Sequence, residues 1–227
     1  MPPLNNIETW GRCSEAGEPI EPRRRLYLLC EGTHTERKYF ATLVTQLNRR
    51  GLPRYLAVCR CDKTGRDEGS SHPTSLLELA QSVIGEDSFA AGDEVAIVFD
   101  ADVYSGNARG YGELLDRCEE LCVSPYVTYP SFELFLLLHL DDGYDRWIAP
   151  NEREILKNRK EGKRRYLDRL FSEATEMNPK KNSHVGDLAL RYPRACEQER
   201  NLNQDVRSAV GRLTSNVGLL IEHLLES

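Results

Sequence analysis

Apolar and polar positions fall into alternating blocks along the first 140 residues, and the blocks are of two kinds. Residues 26–30 are apolar without a break and stop at Glu31 and Gly32. A short continuous apolar run bounded by a turn signal predicts a strand buried on both faces. Tyr39, Phe40, Leu43, Val44 and Leu47 then recur at helical spacing and predict a helix over 35–49, closed by Gly51 and Pro53. A second strand is expected over 55–61, a polar, Gly-rich loop over 62–73, and a helix over 75–84 carrying Leu76, Leu77, Leu79, Ala80 and Val83. The third strand, 95–99, runs straight into Asp100 and Asp102. After a loop at 105–110 come a helix over 111–122, a strand over 126–129 and an apolar helix over 132–140 behind Pro130 and Ser131.

Strand and helix in alternation imply an α/β fold, a mostly parallel sheet wrapped by helices through right-handed crossovers. From Asp141 onward the strand-like runs vanish and charge density rises. Three helices are expected there, over 151–175, 185–199 and 203–225, the last with Val206, Val210, Leu213, Val217, Leu220, Ile221 and Leu224 at helical spacing. Residues 1–22, polar and interrupted by Pro2, Pro3, Gly11, Gly17 and Pro19, read as a flexible arm. The expected organisation is therefore an arm (1–22), an α/β domain (23–140) and a helical C-terminal region packed on it (141–227).

Composition narrows the function classes. A chain of 227 residues with 40% hydrophobic and 29% charged residues can bury a core without disulfides or a structural metal. No apolar run approaches the ~20 residues needed to cross a bilayer. No signal-peptide pattern follows Met1, and seven cysteines without regular spacing predict reduced thiols in the cytoplasm. Cys59 with Cys61, and Cys118 with Cys122, lack the spacing of a zinc knuckle and read as buried thiols. A net charge of −6 argues against a protein that coats nucleic acid by charge alone.

The chemistry gathers at strand ends. Glu31 lies just past the first strand, Asp100 and Asp102 at the end of the third, and ligands of open parallel sheets bind in the crevice outside the strands' carboxyl ends. Residues two apart in an extended segment point the same way, so Asp100 and Asp102 are expected to face one pocket. Gly32 is expected to let the chain turn sharply after Glu31. Three carboxylates at one edge repel unless a cation sits among them, and hard oxygen ligands favour Mg2+ or Mn2+ over zinc. Such ions orient and neutralise phosphates, so phosphodiester chemistry is the expected use.

LLCEGTHTERKYF (28–40) resembles the apolar-strand Glu-Gly motif of Toprim domains, and VAIVFDADV (95–103) resembles their Asp-x-Asp motif. Together with PSFELFLLLH (130–139) and NLNQDV (201–206), they are similar to the RloB family, a bacterial group with a Toprim-like, Rossmannoid fold found near restriction and phage-defence genes. Leu202 stands where that pattern carries a proline. The resemblance implies a metal-dependent nuclease with Glu31 as metal ligand or general base, and Asp100 and Asp102 as metal ligands. It makes Glu36 a candidate for a second metal, and Glu133 and His139 candidates beside the site, with Ser131 as the helix cap. It also implies an ATPase partner encoded nearby, since this chain has no nucleotide-binding loop.

Each residue also has a plainer reading. The strand-end carboxylates could be turn formers, Glu36 a first-turn helix charge, Glu133 a cap partner and His139 a satisfied core histidine. Positive charge concentrates between Arg146 and Arg169, where nine basic residues face four acidic ones. Arg153, Lys157, Lys160, Lys163, Arg164 and Arg165 are the expected nucleic-acid contacts, with Trp147 and Tyr166 available for stacking; the plainer reading is a solvated helix with i,i+4 pairs. The leading expectation is a nuclease acting on DNA or RNA, transfer RNA included, in anti-phage defence, with self-association left open. The rival is a non-catalytic metal- or nucleic-acid-binding subunit of a defence complex.

Overall fold

The computed structural model describes residues 24–32, 34–50, 56–61, 72–179 and 183–226. The arm over 1–22, the helix-closing Gly51 and Pro53, and residues 62–71 of the expected loop lie outside the described residues. Strand β1 (Arg24–Cys30) leads into helix α1 (Thr35–Arg50), β2 (Leu56–Cys61), α2 (Pro73–Ile84) and β3 (Glu94–Asp100). Next come α3 (Ala108–Glu120), β4 (Val123–Tyr129) and a short α4 (Glu133–Leu137). The strands β1 to β4 lie parallel in the order β2-β1-β3-β4. The expected α/β arrangement, a largely parallel sheet flanked by helices with a helical C-terminal region, is the observed one, and it matches a Toprim-like fold.

Alternation along each strand sorts the core into two halves. Leu26, Leu28, Ala96 and Val98 point to one face and pack under α1 and α4. Tyr27, Leu29, Val95, Ile97 and Phe99 point to the other and pack under α2 and α3. Because both faces are covered, these strands carry no polar alternation, which is why continuous apolar runs announced them. Helix α2 begins at Pro73 behind His72, whose Nδ1 accepts from the Thr74 amide at 3.4 Å, and α3 begins behind Asn107, whose side chain accepts from Gly110 N–H at 3.0 Å.

The C-terminal third departs from three simple helices. The expected helix over 151–175 is broken into α5 (Glu152–Lys157), a two-stranded hairpin of β5 (Lys160–Glu161) and β6 (Arg164–Arg165), and α6 (Tyr166–Thr175). The break begins at Asn158, at φ 37°, and turns at Gly162, at φ 61°. Helical spacing of apolar residues does not cross 157–165, where the side chains are polar apart from Gly162, so nothing there demanded a continuous helix.

The expected helix over 185–199 is a 3-10 segment (Ser183–Arg191) followed by α7 (Tyr192–Glu199), with Pro193 in the first turn. The 3-10 segment rests on α1 so closely that a Cβ on Gly186 would fall 2.6 Å from Thr42 Oγ1 and 2.9 Å from the Lys38 carbonyl oxygen.

The expected helix over 203–225 survives only as α8 (Val217–Glu226). Before it, Thr214–Ser215 form β7, which pairs antiparallel with β4 as the fifth strand, so strand structure does not end at Asp141. Two residues make a short edge, and Asn216 extends it: its side chain accepts from Val127 N–H at 2.6 Å and donates to the Pro125 carbonyl at 3.2 Å. Val206 and Val210 pack with the α2 and α3 half of the core, whereas Val217, Leu220, Ile221 and Leu224 belong to the α1 and α4 half. One straight helix would have put all six on one stripe; the chain instead crosses the sheet edge between the two sets.

Candidate functional site

Because β1, β3 and β4 are parallel, their carboxyl ends share one edge. From β1 the chain moves outward to β2, then returns to β3 on the other side and continues to β4. The gap between β1 and β3 is thus the topological switch point, where neighbouring connections leave in opposite directions and a crevice opens. Glu31 ends one side of that gap and Asp100 the other. The Glu31 amide donates to the Val98 carbonyl at 2.9 Å, and the Asp100 amide donates to Glu31 Oε2 at 3.1 Å. These two residues, 69 positions apart, meet across the switch point.

Strand parity decides what else Asp100 sees. It continues the Ala96, Val98 series and so faces α1 and α4, from which Glu36 and Glu133 approach. Its carboxyl is held well above the usual carboxylate range, by burial first, then by the charges of Glu36, Glu133 and, more weakly, Glu31. Opposing them, the Thr128 hydroxyl on β4, directly across from Asp100 in register, donates to Asp100 Oδ1. Glu36 lies in the first turn of α1, folded back over Gly32: a Cβ there would run into the Glu36 carboxylate. The chain bends at Glu31, as expected, and the bare Cα of Gly32 gives the Glu36 carboxylate clearance there.

Asp102 is placed differently from the expectation. The chain leaves the extended conformation after Asp100 and enters a 3-10 turn, Ala101–Tyr104, so two-residue alternation no longer governs where Asp102 points. Its carboxylate, with 21% of the side chain exposed, pairs with the Arg165 guanidinium of β6 at 3.2 Å. The basic hairpin thereby reaches the acidic strand-end rim.

Glu133 is buried in the first turn of α4 and accepts from Ser131 Oγ at 2.7 Å. Ser131 therefore holds the Glu133 carboxylate instead of capping the helix with its side chain; the capping position is Phe132. His139 lies away from these carboxylates. It is fully buried between α1 and α4, with Nε2 2.9 Å from Tyr39 Oη and Nδ1 3.0 Å from the Phe135 carbonyl oxygen. Burial lowers its pKa to about 4 against the weaker pull of the two carbonyl contacts, with Arg191 and Arg194 adding to the lowering.

Of the basic residues, Arg153, Lys157, Lys160, Lys163 and Arg165 are exposed, while Arg164 turns inward and donates to the Asp168 carbonyl at 3.1 Å and to Ser172 Oγ. Lys157 pairs with Glu154 at 2.6 Å, and Arg169 with Glu161. The two candidate stacking rings carry arginines of the same chain, Arg146 over Trp147 at 5.5 Å and Arg169 over Tyr166 at 5.7 Å. Two residues at the rim escaped sequence reasoning. Thr128 is one, a hydroxyl with no motif around it. Tyr104 is the other: its buried hydroxyl has no hydrogen-bond partner among the described residues, and burial, then Glu31, push it to about 12. Strand register, which pairs Thr128 with Asp100, is the signal that could have found the first.

Among the described residues no group of three or more His, Cys, Asp or Glu side chains stands in a ligating arrangement. The donor set is nonetheless of one chemical kind: carboxylate oxygens from β1, β3 and α4 with hydroxyls behind them. Asp100's pKa is raised by burial first and then by the negative charges of Glu36, Glu133 and Glu31. Carboxylate oxygens gathered in this way fit a hard divalent cation. Cys118, buried and pushed to about 11, and the exposed Cys122 lie outside this set.

A family model described as RloB-like protein matches residues 26–224. The chain belongs to the RloB-like family. No curated protein and no solved structure matches it. The RloB-like match includes NLNQDV, whose place in the fold is structural. Asn203 donates to Thr214 Oγ1 at 2.9 Å and exchanges backbone hydrogen bonds with Leu213 and Ser215, fixing β7 against β4. Leu202 uses the amide that a proline would lack, donating to the Glu199 carbonyl at 2.8 Å. Fully buried Glu199 accepts from Ser215 Oγ at 2.5 Å, Gly218 N–H at 2.9 Å and Gln204 Nε2 at 3.1 Å, joining α7, the motif, β7 and α8.

Proposed function

We propose that this RloB-like chain is a Mg2+- or Mn2+-dependent nuclease that hydrolyses phosphodiester bonds in DNA or RNA, acting in the cytoplasm in anti-phage defence with an ATPase partner. The observation that carries the reading is the contact between Glu31 and Asp100 across the switch point, with Glu36 and Glu133 turned toward the same carboxylate. Family membership supports it independently.

Glu31, Asp100 and Asp102 would hold the ion, with Glu36 and Glu133 beside them, possession of a second ion falling to Glu36. A bound divalent ion neutralises phosphate charge and makes a water nucleophilic near neutral pH. Glu31, at the mouth of the switch-point crevice, takes the proton of the attacking water. Thr128 and Ser131 hold the carboxylates of Asp100 and Glu133 through their hydroxyls. The exposed side chains Arg153, Lys157, Lys160, Lys163 and Arg165 track the phosphate backbone, and Arg164 anchors the hairpin that carries three of them. A second reading, a binding subunit without catalysis, is favoured by the lack of a ligating group of three among the described residues.

Incubation with single- and double-stranded DNA and RNA, transfer RNA included, separates the two. Cleavage with Mn2+ or Mg2+ that stops on chelation is the expected result. Intact substrates with either ion, even in the presence of the partner ATPase, would select the binding subunit.

A further inference from the structure

We propose that Arg165 couples metal binding to substrate binding: its guanidinium competes with a divalent cation for Asp102 and, once displaced, takes a phosphate oxygen of the nucleic acid at the same rim. The inference rests on the nuclease reading above and adds a positioning residue that no motif marks.

Arg165 comes from the C-terminal hairpin, yet its partner is Asp102 at the end of β3, 3.2 Å away. Lys157 and Arg169 pair within their own segment, with Glu154 and Glu161. The base of the hairpin is fixed: the Arg165 amide donates to Asp168 Oδ2 at 3.2 Å, Arg164 is tied to Asp168 and Ser172, and Asn158 Oδ1 accepts from Leu167 N–H at 3.0 Å. A fixed main chain leaves the Arg165 side chain as the moving part, and about half of it, 51%, is exposed and open to a second partner.

Charge supplies the coupling. A cation on Asp102 sits within a few ångströms of the guanidinium, so the two positive charges compete for one carboxylate. Released, a guanidinium offers a planar fork of donors that suits a phosphate, and the hairpin holds it at the same rim as Asp102. Because Arg165 occupies Asp102 without metal and would serve the phosphate once released, removing it must strengthen metal binding while weakening nucleic-acid binding. A residue that merely braces the site would weaken both when lost.

The test uses the full chain and two readouts. Mn2+ affinity is measured by calorimetry without nucleic acid, and affinity for a fluorescein-labelled oligonucleotide by anisotropy with Ca2+ present, for wild type, Arg165→Ala and Arg165→Lys. Arg165→Ala is expected to bind Mn2+ about fivefold more tightly and the oligonucleotide about fivefold more weakly, at the low end of ordinary coupling. Arg165→Lys, which keeps the charge and loses the fork, is expected to bind Mn2+ as wild type does and to recover the oligonucleotide only in part. Thermal melts confirm that each variant is folded. If wild type binds Mn2+ and Arg165→Ala binds it equally well or more weakly, the coupling is wrong while the metal site stands. Wild type that binds no Mn2+ overturns both.

Discussion

Asp100→Asn loses metal-dependent cleavage by more than about a hundredfold, beyond the upper end of what removal of a supporting partner around a metal costs. The same substitution leaves the protein at least as stable as wild type in chelator. The two effects have one cause. Asp100 sits where burial and the carboxylates of Glu36, Glu133 and Glu31 all oppose its ionisation. Asparagine keeps an oxygen for the Thr128 hydroxyl and removes the charge, so repulsion among the remaining groups falls. A stabilising residue lost would lower the melting temperature along with activity; a functional residue held against its electrostatic preference loses activity alone. Cleavage rates with saturating Mn2+ and thermal melts in chelator check both halves. A variant that cuts at the wild-type rate, or one that melts well below wild type, contradicts the account.

The second large effect is on stability and follows from His139. In the folded chain its pKa is lowered to about 4, chiefly because burial opposes its charge. In the unfolded chain it returns to about 6.5. As pH falls, the unfolded state therefore takes up the proton first, and folding stability declines. The contribution of a neutral His139 is complete above about pH 6.5 and is lost progressively between there and about 4, amounting to about 3 kcal/mol. His139→Gln retains an acceptor and a donor for Tyr39 and the Phe135 carbonyl without the titration. Denaturant unfolding between pH 7 and 4.5 is expected to give a shallower decline for His139→Gln than for wild type. Parallel curves would show that the imidazole takes up its proton in the folded chain as readily as in the unfolded one, and would contradict a buried, neutral His139.

How much of this could be read in the chain itself varied by region, for physical reasons. Strands buried on both faces have to be apolar throughout, so β1, β3 and their connection order were legible, and with them the edge carrying Glu31 and Asp100. Periodicity weakens where a segment divides its apolar residues between two sides of a sheet, as 206–224 does, and a single helix was expected where β7 closes the sheet. The hairpin over 160–165 was hidden because exposed two-residue strands have no apolar face to reveal them.

Candidate site residues divide in the same way. Glu31 and Asp100 follow strand ends and were visible; Asp102 was visible too, but its direction depended on a 3-10 turn that no local pattern marks. Its pairing with Arg165 joins residues far apart in the chain and could only come from the fold. Glu133 was a weaker candidate than its surroundings warrant, since its approach to Asp100 depends on how α4 is set against the sheet. His139 lies in the same apolar stretch, but its ring turns into the core toward Tyr39.

If acidic side chains from separate strands share one divalent cation, Glu31→Gln must weaken Mn2+ binding. Glu31 lies 69 residues from Asp100 and accepts its amide, and glutamine keeps an oxygen for that hydrogen bond while removing the charge that a shared ion would need. Titration followed by electron paramagnetic resonance is expected to show Mn2+ bound to wild type and affinity reduced by at least about tenfold in the folded variant. Glu31→Gln binding Mn2+ as tightly as wild type would contradict the shared site.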